Sequence, residues 1–255
     1  MLNMNAVDMV QLSLDTKFRF KCYKGIACFT KCCSNIDIML TPYDILRMKN
    51  RLGLLSGEFL IKHTYTHIDE RTSHPFVFLT LGEDTDRKCS FVTDEGCTIY
   101  EDRPANCRYY PIGQASMRKM DEAAQKPVTA EFYFFVKEEH CLGFKEDTEW
   151  TVGDWRKDQD VVLYDDMNWG WKDILFRKSI PGQEMDEKKQ RAFYMACYDM
   201  DRFGDFVFKS GFLDKFDVDG DTIEKIKNDE IELMKFGFQY AKFILMMENT
   251  LKLKQ

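Results

Sequence analysis

Eight of the nine cysteines lie within the first 141 residues, and their placement constrains this chain more than any other feature. Four fall inside FRFKCYKGIACFTKCC, the stretch from Phe18 to Cys33: Cys22, Cys28, Cys32 and Cys33. Four more follow at Cys89, Cys97, Cys107 and Cys141, and only Cys197 stands apart. Thiolates crowded at mixed spacing are soft ligands, and soft ligands select zinc, Cu(I) or iron–sulfur clusters. The N-terminal part is therefore expected to be an irregular metal-holding unit pinned by its cysteines.

A disulfide scaffold or free core thiols would be the alternatives. With 255 residues, 44% of them apolar, the chain can bury a core without crosslinks. Nine cysteines cannot all pair within one chain. The N-terminus, MLNMNAVDMVQLSLDTKFRF, carries Asp8 and Asp15 and no long apolar core, so it does not read as a signal peptide. No stretch approaches the ~20 apolar residues of a membrane span. The expected location is the cytoplasm, where disulfides are rare, and metal binding is the preferred reading. A net charge of −7 argues against a broad nucleic-acid or anionic-membrane surface. No nucleic-acid or membrane partner is expected, while a protein partner is compatible with the composition.

The first four cysteines read C-x5-C-x3-C-C, and the next three C-x7-C-x9-C. Neither is a zinc-finger or ferredoxin spacing. In extended backbone, adjacent side chains point to opposite sides, so Cys32 and Cys33 could serve two metals or two irons of one cluster. Eight thiolates suffice for two four-cysteine sites, or for one cluster plus reactive or structural thiols, and spacing does not decide between them. Lys17, Arg19, Lys21, Lys24 and Lys31 could offset thiolate charge, or simply solvate a loop.

Other motifs carry less. His63 and His67 have i, i+4 spacing but lack the HExxH pattern. His140 precedes Cys141 and is a candidate supporting or alternative ligand. Cys197 shares a helical apolar face with Phe193 and Met200 and reads as a buried structural thiol. DVDGDTIEKIKND fails as a calcium loop, with Thr222 where glycine is needed and Asn228 where the bidentate glutamate belongs. It reads as a turn and helix cap. Tyr109, Tyr110 and the tryptophans Trp150, Trp155, Trp169 and Trp171 could line a pocket, although core packing is the commoner use. Gly-rich phosphate loops and a GxSxG elbow are absent.

The expected fold is α+β. Residues 1–150 would form the cysteine-cluster metal-binding domain, with short strands at 34–40, 76–81 and 131–136, a hairpin at 89–100 and a helix at 42–52. Thr41, Pro42 and Asp44 start that helix and Gly53 stops it. A second short helix begins at Ser56. Residues 1–17 look like a partly ordered lead-in. Arg103-Pro104 and Tyr110-Pro111 bracket Cys107 in a segment expected not to be mid-helix. Residues 151–255 would be a mainly helical region packed on that domain. Its helices are expected near 154–178, 186–209 and 221–250, with Pro181-Gly182 as a break and Asp221 and Glu224 as a capping box.

CYKGIACFTKCC, CSFVTDEGCTIYEDRPANCRYYPIG and HCLGF resemble the YkgJ-type cysteine-cluster proteins, described as zinc- or iron-chelating domains with a CxxCxxCC signature. The most specific part is GCTIYEDRPANCRYYP, which follows their C-x-I-Y-x-x-R-P-x-x-C-R-x-Y/F-P pattern. Here the gaps before Cys28 and Cys32 are five and three residues rather than two and two. The resemblance implies Cys22, Cys28, Cys32, Cys33, Cys89, Cys97, Cys107 and Cys141 as cofactor and metal ligands, and places Arg103 and Arg108 among the family's arginines. The flagellin lysine methylases share a similar cluster, which implies a methyltransferase-like activity on protein lysine as one alternative. The favoured expectation is one or two iron–sulfur (4Fe-4S) clusters in electron transfer or cluster handling. Irregular spacing and adjacent cysteines suit a polynuclear cluster better than a tetrahedral zinc knuckle. A zinc-stabilised interaction module is the other alternative.

Overall fold

The computed structural model describes residues 7–83, 85–121, 125–176, 185–245 and 247–254. The chain opens with β1 (Val7–Leu12) and β2 (Lys17–Arg19), makes a single 3-10 turn at Lys31–Cys33, and reaches β3 (Met39–Leu40). Helices α1 (Pro42–Leu52) and α2 (Ser56–His63) lead into β4 (Thr64–Ile68) and β5 (Pro75–Leu79). Next come β6 (Val92–Thr93), β7 (Gly96–Cys97), the short α3 (Ala105–Tyr109), β8 (Ile112–Asp121), β9 (Lys126–Val136) and β10 (Glu149–Thr151). The rest is mainly helical: α4 (Val152–Asp158), α5 (Val161–Phe176), α6 (Glu187–Tyr198), α7 (Met200–Lys209), α8 (Phe212–Lys215), α9 (Gly220–Asn228) and α10 (Glu230–Ile244). A small ladder joins β11 (Phe216–Asp217) to β12 (Lys252–Leu253). The fold is thus α+β, with short antiparallel strands early and helices late. Among the described residues no helix is long and apolar enough to cross a membrane.

The chain divides into two compact units, residues 1–39 with 79–163 and residues 40–78 with 164–255. The first is built on the β8–β9 hairpin, paired from Ile112↔Phe135 to Asp121↔Lys126, with β1 on the other edge of β9. β2 pairs with β10, setting Phe18 opposite Trp150. Inward-facing residues at period two then form one core: Leu12, Phe18, Phe20, Ile112, Tyr133 and Phe135, closed by Val152 and Trp155. Fully burying each large apolar side chain contributes about 1.5–3 kcal/mol. The Trp155 and Trp150 indoles donate to the carbonyls of Tyr109 (3.1 Å) and Phe20 (3.0 Å), so neither buries an unpaired N–H. This core fixes Phe20, and Phe20 fixes the cysteine segment that starts two residues later.

The second unit is organised around α10. Its Gly237 lets the backbone approach α6 at Ala196, and Phe203, Phe212, Phe236 and Tyr240 pack beside it in tilted and edge-to-face pairs. Helix α1 starts as its sequence predicts: Thr41 Oγ1 accepts from Asp44 N (3.2 Å) while the Asp44 carboxylate accepts from Thr41 N (2.8 Å). It ends at Gly53 with φ +65°. Buried Lys49 is neutralised by Glu230 (2.5 Å) and Asp201 (3.7 Å).

Several expectations are corrected. The lead-in contains β1 and the start of β2, and β1 is held by antiparallel pairing with β9, Val7↔Val136 and Leu12↔Tyr133; residues 1–6 lie outside the described residues. Cys107 is inside a helix, α3, because Pro104 precedes the first turn, where its missing N–H costs nothing. Of the 34–40 strand only Met39–Leu40 forms. The hairpin partner β8 was not foreseen. Each expected long helix is interrupted by a polar residue that bonds backbone locally or takes a non-helical conformation. Asp160, at φ +56°, separates α4 from α5. Asp199 separates α6 from α7, and Asp229 caps α10 through Ile231 N and Glu232 N. Asp219, rather than Asp221, caps α9 by accepting from Thr222 N (2.9 Å). The Pro181-Gly182 break and the C-terminal end of the 154–178 helix fall outside the described residues.

Candidate metal centre

Cys22, Cys28, Cys32 and Cys141 line one small cavity, together with Phe20, Ile26, Tyr110 and His140. Tight turns explain how a short segment supplies three of them. Phe29 N bonds Ile26 O (2.8 Å), Lys31 N bonds Cys28 O (3.1 Å) and Cys33 N bonds Thr30 O (3.0 Å), with Thr30 at φ +65°. The backbone at Cys32-Cys33 is therefore a 3-10 turn and not the extended strand of the sequence reading. The two sulfurs come together, and their mutual hydrogen bond is the main reason the Cys32 thiol is pushed up. Cys141 arrives from the far end of the unit through Lys21 N bonding Gly143 O (3.1 Å).

Donors converge on these sulfurs. Leu142 N donates to Cys28 Sγ (3.2 Å), while Gly143 N and the Tyr110 hydroxyl donate to Cys141. The same i+2 amide pattern recurs at Cys89, from Phe91 N, and at Cys97, from Ile99 N. A thiolate only accepts, so amides aimed at sulfur stabilise the ligand form. Burial opposes them: it pushes Cys22 up to about 11, with the charges of Cys32, Cys28 and Cys141 adding to it, and it raises Cys89, Cys97 and Cys141. Without metal these thiols hold their protons at neutral pH, so metal binding releases protons.

Cys33, Cys89, Cys97 and Cys107 do not line this cavity. Cys89 N donates to Cys33 O (2.8 Å), and the Cys97 charge adds to the upward push on the Cys89 thiol. Arg103 faces both Cys97 and Cys107. Its guanidinium lies 3.7 Å over the Tyr100 ring and donates to Tyr100 O and to Gln159 Oε1. Arg108 has a different task. It is buried and donates to three backbone carbonyls, those of Arg103 (3.0 Å), Glu101 (2.5 Å) and Gln159 (3.0 Å). One arginine thus sets charge beside thiols and the other ties loops together.

The donor set fits a thiophilic metal: sulfurs share a cavity wall, no cysteine is in a disulfide, and amides point at the sulfurs. Among the described residues, no three Cys, His, Asp or Glu side chains stand in the close geometry of a bound ion. His140 is at the cavity and pairs with Glu138 (3.2 Å) when protonated. His63 ends α2 against Phe59 while His67 lies in β4 near Phe78, so the two do not share a helix face. Cys197 is fully buried in α6, and burial pushes its thiol well up. Trp155 and Trp171 are core residues, whereas Trp169 is exposed. Sequence reasoning missed Tyr110 as a donor to sulfur, although its place in the R-x-Y/F-P pattern marked it.

Thiols gathered in this way, with amides turned toward them, are the donor set a thiophilic metal needs. Residues 21–141 match the CxxCxxCC family model, described as a "Putative zinc- or iron-chelating domain". No curated protein and no solved structure matches the chain.

Proposed function

We propose that this protein holds iron–sulfur clusters at two four-thiolate centres, Cys22/Cys28/Cys32/Cys141 and Cys33/Cys89/Cys97/Cys107, and serves electron transfer or cluster handling. The observation that carries the reading is the grouping of four thiols on one cavity wall, a wall that Cys33 does not line although its sulfur lies beside that of Cys32 and its carbonyl accepts from Cys89 N. The apolar walls given by Phe20 and Ile26, and hydrogen bonds to the sulfurs, are features that set a cluster's potential. When bound, a cluster would supply one-electron chemistry. The chain's own residues hold its thiolates, aim amides at them and exclude water with Phe20 and Ile26.

One observation favours a second reading, a zinc site. The free space at the cavity is about 10 Å³, nearer the size of a single ion than of a polynuclear cluster. Anaerobic purification followed by iron, zinc and acid-labile sulfide analysis separates the two. Iron and sulfide with absorption near ~400 nm support the clusters, since Zn²⁺ is colourless. Stoichiometric zinc without sulfide sinks them and establishes the second reading.

A further inference from the structure

The four thiols of the cavity are not held equally. Cys28 is buried and accepts from Leu142 N; Cys141 is half-buried and accepts from Gly143 N and Tyr110; Cys32 is half-buried and bonded to Cys33. Cys22 is the only exposed residue of the eight, its backbone side open to solvent while its sulfur is desolvated against the cavity wall. Among the described residues no hydrogen bond reaches its sulfur. Its backbone has the same character. Lys21 is pinned by Gly143 O, but residues 21–25 are all exposed, and the turn that follows has one long backbone bond, Ile26 N to Tyr23 O at 3.3 Å, with Gly25 at φ +110° and a solvent-exposed Lys24–Glu95 ion pair (2.5 Å). Hydrogen bonds from the surroundings orient a ligand and hold it on its metal; Cys28 and Cys141 have such donors, Cys32 is fixed within the 3-10 turn, and Cys22 has neither support.

We infer that Cys22 is the exchangeable ligand of the cavity centre, the position at which a thiol from outside takes over the metal. The inference rests on the reading of Cys22, Cys28, Cys32 and Cys141 as one centre. The step is a ligand exchange without redox change. The incoming thiol gives up its proton and forms a sulfur–metal bond, the Cys22–metal bond breaks, and the Cys22 sulfur takes a proton. Cys28, Cys32 and Cys141 keep the metal during the exchange. The ligand class is a thiolate, supplied either by a small thiol or by an acceptor protein.

The test uses the full-length holoprotein, Cys22→Ser, Cys28→Ser and Cys32→Ser, each purified anaerobically and assayed for metal. The loaded wild type is then mixed with glutathione in one arm and with a two-cysteine peptide in the other, and metal transfer is followed. Cys22→Ser should retain the cavity metal, and Cys28→Ser and Cys32→Ser should lose it. The transfer rate from wild type should rise in proportion to added thiol; a response in the glutathione arm alone assigns a small thiol, and in the peptide arm alone a protein acceptor. Loss of the metal in Cys22→Ser as complete as in Cys28→Ser, or a transfer rate independent of thiol, overturns the inference and leaves the four-thiol centre standing. Full metal in Cys28→Ser and Cys32→Ser overturns the centre itself, and the inference with it.

Discussion

Gly237→Ala should be among the most damaging single-atom additions in the second unit. A Cβ built there falls 2.1 Å from Ala196 O and 3.1 Å from its carbonyl carbon. An ordinary contact needs about 3.5 Å, so α10 and α6 must part by more than ~1 Å. The obstacle is backbone, so no rotamer change relieves it. The contact also lies in a filled core, where Phe193, Ala196, Met234 and Ala241 have no solvent exposure. Overpacking of this kind costs about 1–3 kcal/mol, here at the upper end, and alanine's better helix propensity returns about 1 kcal/mol. The net is a loss of about 2 kcal/mol, or a melting temperature lower by about 4–8 °C for a domain of this size. Gly204→Ala is the control. Its Cβ meets only Leu233 Cδ2, a movable side-chain atom at 3.4 Å, so the propensity gain should keep Tm level or raise it. Thermal unfolding followed by circular dichroism reads both. If Gly237→Ala melts at or above wild type, or Gly204→Ala falls by as much, the close-approach argument is wrong.

Cys197→Ser should keep all bound metal and lose about 1 kcal/mol, because a hydroxyl replaces a soft apolar group in a fully buried site; metal loss from the folded variant would break the division between ligand and core cysteines. Cys32→Ser should empty the cavity centre and Cys33→Ser the other, and metal analysis showing the same loss from both would mean that they serve one centre. His74 is buried against Phe193 with neither ring nitrogen in hydrogen-bond geometry, and burial lowers its pKa from 6.5 despite the nearby Thr72 backbone and Asp69. Its unfolded form therefore binds a proton first as pH falls, so stability is present above about 6.5 and is lost below it until the folded ring also titrates. Replacing His74 with Phe should flatten the fall in Tm between pH 7 and 5, and an unchanged slope would remove His74 from the account.

Local signals were legible where one residue or one turn decides. Thr41, Pro42 and Asp44 announced α1, Asp94-Glu95-Gly96 announced the β6–β7 turn, and EFYFFV marked part of β9. Signals failed where a distant partner decides. The β8 strand, IGQASMRKMD, has no strong apolar alternation and is specified by its register on β9. Long helical periodicity ran straight through Asp199 and Asp229. Apolar spacing does not register that one aspartate can turn the backbone while the next helix continues on a similar face. The units themselves are each made of two separated stretches, a property of pairing and packing with no local mark.

The candidate ligands were visible because cysteine chemistry is carried by residue type alone. Their grouping was not, since it depends on where turns place sulfur. Cys22 and Cys141 are 119 positions apart and meet through the β2–β10 pairing and the Lys21–Gly143 bond. Cys32 and Cys33 are adjacent yet differ in surroundings, because the 3-10 turn puts Cys32 on the cavity wall and hands the Cys33 carbonyl to Cys89. The supporting shell was the least legible part. Backbone amides at Phe91, Ile99, Leu142 and Gly143 do their work without side chains, so substitution at those positions would leave the donor in place unless it introduced proline. Leu142→Pro removes the donor to Cys28 directly, and the strength of a thiolate's hold on its metal is thereby written in backbone geometry that residue identity does not record.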